Sequence, residues 1–120
     1  MTSITLYHGT TPDSAQAITK NGWSPRSAAM GGNCGQSRYL YLTTEYEDAL
    51  WFAQEKGSDT VLEVRDVPLS MLEVDPEDGT YDTVEEEISS SLGLPGKLVL
   101  TRSLPAENFS IFNPSPKVGI

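Results

Sequence analysis

At 120 residues with 38% hydrophobic content, the chain has the ordinary size of one domain and is too short for two good cores. Eight Lys and Arg stand against seventeen Asp and Glu, for a net charge of −9, and the basic residues are scattered; extended nucleic-acid binding, which draws on a positive stripe, is not expected. No stretch is apolar enough to cross a bilayer, Met1–Thr5 lacks the basic and apolar regions of a signal peptide, and Cys34 as sole cysteine forms no intramolecular disulfide, so a reducing cytoplasmic setting is the simplest expectation, beside that of a secreted effector.

Ile4-Thr5-Leu6-Tyr7-His8 alternates as a strand, with Ile4, Leu6 and His8 on one face. Thr11-Pro12 then reads as a cap followed by proline at the first helical position, and Asn21-Gly22 as the helix end. From Trp23 to Ser37 the chain carries Pro25, Gly31, Gly32 and Gly35 without periodicity, which predicts a long irregular loop. Arg38–Thr43 alternates again as a strand, tyrosines on one face and leucines on the other. Thr44-Glu45-Tyr46-Glu47 has the form of a capping box, and the helix after it stripes Tyr46, Ala49, Leu50 and Ala53.

Thr60–Val64 is a further strand, followed by a mixed segment to Val74 and a turn cluster at Asp75-Pro76-Glu77-Asp78-Gly79. Asp82 and Glu85 repeat the capping pattern before a short helix that Gly93 and Pro95 stop. Lys97–Thr101 and Phe109–Phe112 are the last strands, and the residues from Asn113 a loosely held tail. Five or six short strands with two or three helices predict an α+β domain over residues 1–112, its sheet mixed or antiparallel, with helices on one side.

Few residues suit chemistry. His8 ends a strand just before Gly9 and Thr10, where a neutral imidazole can hold a ribose hydroxyl; a semi-buried structural histidine fits the same spacing. Tyr39 and Tyr41 are either ordinary cross-strand residues or one wall for a flat ring. Arg26 and Arg38 bracket the glycine-rich loop and suit a pyrophosphate, although Gly31–Ser37 lacks the lysine of a phosphate-binding loop. One histidine and one cysteine do not make a zinc set, and Cys34 as a nucleophile has only His8 for a base. Glu85, Glu86 and Glu87 open a helix, where most such clusters are solvated surface; a carboxylate facing a cleft there would polarise a ribose hydroxyl or deprotonate an acceptor. Asp75, Asp78 and Asp82 are out of register for a calcium loop and read as a structural turn.

In this order, Leu6-Tyr7-His8-Gly9-Thr10, a helix, a glycine-rich loop, Tyr39-Leu40-Tyr41-Leu42-Thr43 and an alanine-rich helix resemble the ADP-ribosyltransferase superfamily. The closer branch is that of diphtheria toxin and the poly(ADP-ribose) polymerases, with a split mixed β-sheet cleft and a His–Tyr–Glu set. The resemblance implies NAD+ as co-substrate, transfer of ADP-ribose to a macromolecular acceptor such as a protein, or hydrolysis of NAD+. It implies that His8 binds the adenosine-side ribose, that Tyr41 stacks on nicotinamide, and that Gly9 and Thr10 supply backbone contacts. Arg26 and Arg38 would attend the pyrophosphate and Glu86 would stand for the triplet as catalytic carboxylate. The family's glutamate opens the strand that here begins with Gly96-Lys97, a departure from the pattern. A toxin with an inhibitor or antitoxin partner is compatible with this class. RNA 2′-phosphotransferases, which share the fold, are the alternative, opposed by Tyr41 where a second histidine is expected; a catalytically inactive nucleotide- or protein-binding module is another.

Overall fold

The computed structural model describes residues 3–25, 39–77, 79–89 and 96–112. Arg26, Arg38, Cys34 and the glycine-rich loop lie outside the described residues, as does the tail from Asn113. Nine elements follow in chain order: β1 (Ser3–Thr10), α1 (Pro12–Asn21), β2 (Leu40–Thr43), α2 (Tyr46–Glu55), β3 (Thr60–Pro68), β4 (Leu72–Val74), α3 (Val84–Ser89), β5 (Lys97–Leu100) and β6 (Phe109–Ile111), with 3-10 turns at Leu69–Met71 and Ala106–Asn108. Among the described residues no helix is long and apolar enough to cross a membrane.

The strands form one sheet in the order β4-β5-β2-β1-β3-β6, and its strand pairs are antiparallel. This is an α+β fold with short helices. Leu6, Leu40, Leu42, Leu62, Val64, Leu98 and Leu100 make the main core on one face, closed by Ala15 of α1 and by Trp23. Val84 and Ile88 of α3 pack against the same core.

The helices are not confined to one side, contrary to expectation. Gly9 has the opposite strand parity from Leu6, and a Cβ built on it would stand 1.9 Å from the carbonyl oxygen of Ala49 and 2.7 Å from the amide of Ala53. So α2 lies on the face away from the main core, and it sits there because glycine and two alanines, four residues apart, let helix and strand backbones touch. Ala49, Ala53, Val61 and Val99, all buried, make that thinner second layer.

The α1 start forms as its sequence indicates: the Thr11 side chain accepts from the Ser14 amide at 3.3 Å, proline follows, and Gly22 ends the helix at φ +79°. The capping box at Thr44 does not form. Thr44 instead extends the β2–β5 ladder, its amide donating to the Gly96 carbonyl at 3.1 Å and its hydroxyl accepting from the Gly96 amide at 2.8 Å. A hydroxyl held by a neighbouring strand is lost to the helix, and Glu45 becomes the cap with no side-chain bond. In α3 the cap moves one residue, from Asp82 to Thr83, whose hydroxyl accepts from the Glu86 amide at 3.1 Å.

One seam in the sheet is open. β1 meets β3 along most of its length, yet it meets β2 in a single registered pair, Tyr7↔Thr43. Beyond that pair the two strands part.

Candidate functional site

The imidazole of His8 bridges the parted strands. Its Nδ1–H donates to the backbone carbonyl of Tyr41 at 2.7 Å, a bond that stands where a strand ladder would otherwise continue. A carbonyl only accepts, so Nδ1 carries the proton and neutral His8 presents Nε2 as a lone-pair acceptor. Burial pushes the His8 pKa down to about 4; the bond to Tyr41 opposes the shift and the nearby Lys56 charge adds to it. The ring is therefore uncharged near neutrality.

Strand alternation sends the side chains of His8 and Tyr41 off opposite faces. His8 shares parity with Leu6 of the core, whereas Tyr41 alternates with the core residues Leu40 and Leu42. A closed flat sheet would keep them apart. Both residues nonetheless line one cavity of about 250 Å³ beside the open seam, with Gly9 of β1 and Ala49 and Phe52 of α2 in the same lining. Tyr41 is 40% exposed and Tyr39 meets it edge-on, with ring centroids 6.2 Å apart. Tyr7, in the same lining, leans on Tyr46 and Phe112 in an aromatic triangle with centroid distances of 5.1 to 6.3 Å.

The cavity also collects charged residues that were not expected in the site. Lys56 caps α2, and its ammonium donates to the Gly9 carbonyl at 2.9 Å. Burial lowers the Lys56 pKa, and the negative end of the helix favours the cation at that place. Lys97 opens β5, stands 3.8 Å from the Asp48 carboxylate and lies 5.6 Å over the Phe52 ring. Asp75 and Glu77 line the cavity from the turn after β4. Asp75 is buried and one of its oxygens accepts from the Glu77 amide at 2.8 Å, so the expected structural turn is present and also supplies cavity wall. Glu77 is exposed. Burial first, then the Glu77 and Asp75 carboxylates, raise the Tyr41 phenol above its ordinary pKa, which keeps it protonated.

His8, Gly9 and Tyr41 thus meet in one place, while Thr10 is buried and does not line the cavity. Of the glutamate triplet, Glu86 and Glu85 are exposed and outside the lining, and the inward member is Glu87, 2% exposed. One Glu87 oxygen accepts from the amides of Thr80 and Tyr81, both at 2.9 Å, and the other from the amide of Lys97 at 3.0 Å. That carboxylate ties the α3 approach to the start of β5 and has no part in the cavity. Arg26 and Arg38 lie outside the described residues. The signal for the missed residues was faint: Lys56 reads as an ordinary helix end, and only the fold carries Asp75 and Glu77 to Tyr41.

The protonation of His8 carries a stability consequence. Its folded pKa lies below the unfolded value near 6.5, so its contribution is complete above pH 6.5 and is lost as pH falls towards 4. The loss expected is about 3 kcal/mol over that window. Urea unfolding of the wild type and of His8→Asn at pH 7 and pH 4 checks it, the variant removing the carboxylate background. Equal pH dependence in both proteins would show the histidine to be solvated.

Comparison of the chain with protein-family models, curated proteins and solved structures returns no match.

Proposed function

We propose that this domain binds NAD+ across the open seam and breaks its nicotinamide–ribose bond, passing ADP-ribose to a macromolecular acceptor or to water. The observation that carries this reading is the His8–Tyr41 link: a neutral imidazole tethered to the backbone of the residue whose aromatic ring walls the same cavity. At about 250 Å³ the cavity suits the nicotinamide and its ribose, with the rest of the dinucleotide leading outward. The resemblance of Leu6–Thr10 and Tyr39–Thr43 to the ADP-ribosyltransferases supports the same ligand.

In this reading Tyr41 stacks on the pyridinium ring and the lone pair of His8 accepts from a hydroxyl of the nicotinamide-side ribose, in place of the adenosine-side ribose that the resemblance implies. The bond between C1′ and the ring nitrogen breaks with its electron pair leaving on nicotinamide, which departs neutral. Positive charge builds on the ribose, and a carboxylate nearby stabilises it. The incoming hydroxyl or water then attacks C1′ and gives up its proton. Glu86 is exposed and outside the lining. Asp75 is engaged with its own turn, which leaves Glu77 as the carboxylate available beside Tyr41.

Incubation with NAD+ labelled in the adenylate tests the reaction. Free nicotinamide without labelled macromolecule identifies hydrolysis, and label on a protein band identifies the acceptor. His8→Ala, Tyr41→Ala and Glu77→Gln are each expected to lower turnover by about a hundredfold, in line with losing a positioning or charge-stabilising group. Glu86→Gln leaves it unchanged. Wild-type protein that neither binds NAD+ nor releases nicotinamide, or that binds a short 2′-phosphorylated RNA more tightly, would end this reading.

A further inference from the structure

The charges around the cavity fall in two groups: Asp75, Glu77 and Lys97, whose carbonyl accepts from the Asp75 amide at 3.0 Å, lie together, and Lys56 lies apart from them at Gly9. Asp75 and Glu77 stand in the turn after β4, beside Tyr41, whereas Lys56 approaches from the end of α2 and bonds the residue next to His8. Of the two lysines in the lining, Lys97 has the Asp48 carboxylate at 3.8 Å, while Lys56 has no carboxylate partner among the described residues. Its ammonium gives one proton to the Gly9 carbonyl and keeps two for other acceptors. As a residue Lys56 is exposed, although its ammonium reaches inward to Gly9, so it stands at the rim and not the floor.

We infer that Lys56 is the anion anchor of this cavity and takes the diphosphate of a dinucleotide whose cationic ring lies at the Tyr41 end. This rests on the NAD+ reading for the identity of the ligand but not for the presence of an anion site. NAD+ itself carries a positive pyridinium and a negative diphosphate, separated by one ribose. A cavity with Asp75 and Glu77 at its aromatic wall and, at its rim, an ammonium with no carboxylate partner among the described residues favours one orientation of that polarity. The opposite orientation would set the diphosphate against Asp75 and Glu77, like charges in a partly desolvated site. Lys56 is thereby a positioning residue: it holds the ligand by a group remote from the bond that breaks, so that the ribose lies between His8 and Tyr41.

Calorimetric titration of wild type, Lys56→Gln and Lys56→Arg with NAD+, ADP-ribose, inorganic pyrophosphate and nicotinamide tests the assignment, with thermal unfolding recorded for each protein. Lys56→Gln is expected to weaken NAD+ and ADP-ribose about tenfold or more, the loss of one charge-assisted contact, and to leave nicotinamide within about twofold. Lys56→Arg restores NAD+ affinity to within about threefold, since it keeps the charge at the rim. If Lys56→Gln unfolds, the Arg variant and the salt dependence of wild-type ADP-ribose binding still decide: affinity that falls with added salt supports the anchor. NAD+ bound equally by wild type and Lys56→Gln, or nicotinamide weakened as much as NAD+, would overturn the anchor while the NAD+ reading stands. Wild type that ignores NAD+ yet binds pyrophosphate or ADP-ribose through Lys56 would keep the anchor and remove the NAD+ reading. Protein that binds none of the phosphate probes overturns both.

Discussion

Replacing Gly9 with alanine is expected to destabilise the domain by on the order of 3 kcal/mol, at the upper end of what overpacking a core costs. The added methyl group would stand 1.9 Å from the Ala49 carbonyl oxygen and 2.7 Å from the Ala53 amide. Both obstacles are helix backbone, so no rotamer change relieves the clash, and truncating Ala49 to glycine would leave the oxygen in place. The only relief is for α2 to lift from β1. That movement carries Lys56, at the end of α2, away from the Gly9 carbonyl and widens the cavity between α2 and the seam. Urea unfolding reads the stability loss, and NAD+ titration of the protein that remains folded reads the site. A Gly9→Ala domain within about 0.5 kcal/mol of wild type would mean that α2 is not held in backbone contact with β1.

Glu87→Ala has an effect of similar size from a different cause. The Glu87 carboxylate, 2% exposed, accepts from three backbone amides, those of Thr80, Tyr81 and Lys97. Removing it leaves those donors without their acceptor, at an expected cost of about 3 kcal/mol, because bonds to a charged acceptor exceed neutral ones and partly buried donors regain little from water. Glu87→Gln retains one carbonyl oxygen but turns an amide towards N–H groups, and about half of that loss is expected. Glu86→Ala, one residue earlier and exposed, stays within about 0.5 kcal/mol. Denaturant unfolding ranks the three variants. Amide hydrogen exchange provides a local check: protection at Thr80, Tyr81 and Lys97 falls in Glu87→Ala and not in Glu86→Ala. Equal stability of the two alanine variants would show that Glu87 is not the link between α3 and β5.

The two residues illustrate how a helix of near-identical side chains divides its work. Glu85, Glu86 and Glu87 are indistinguishable in a one-dimensional reading, each acidic and each in the first turn of α3. Helical geometry turns each about 100° from the last, so the one that faces inward meets backbone amides and the others meet water. The residue expected to act in catalysis is on the solvent side. Its inward neighbour is used structurally, and the carboxylate nearest Tyr41 comes from another part of the chain, the turn holding Asp75 and Glu77.

Local chemistry was legible wherever a residue's neighbours in the chain decide its state. Proline after Thr11, glycine after Asn21, and the alternation of Leu6 with His8 and of Leu40 with Leu42 each express a preference that acts over a few residues. They placed α1, β1, β2 and the α2 stripe without reference to anything distant. The cap at Thr44 came out differently because its hydroxyl is taken by a partner outside the local segment, the amide of Gly96, far along the chain.

What the amino-acid order determined by itself was α1, α2 and most of the strands, the glycine and alanines that permit close approach, and the placing of a histidine and a tyrosine on two strands. Tertiary structure alone decided that β1 and β2 part after one registered pair, that the His8 ring spans the opening, and that Lys56, Asp75 and Glu77 gather round it, Lys56 apart from the two carboxylates. The division has a physical origin. Backbone preference and capping act between residues a turn or a pleat apart, whereas a seam, a cavity and an electric polarity depend on segments that the chain brings together only when the sheet is complete.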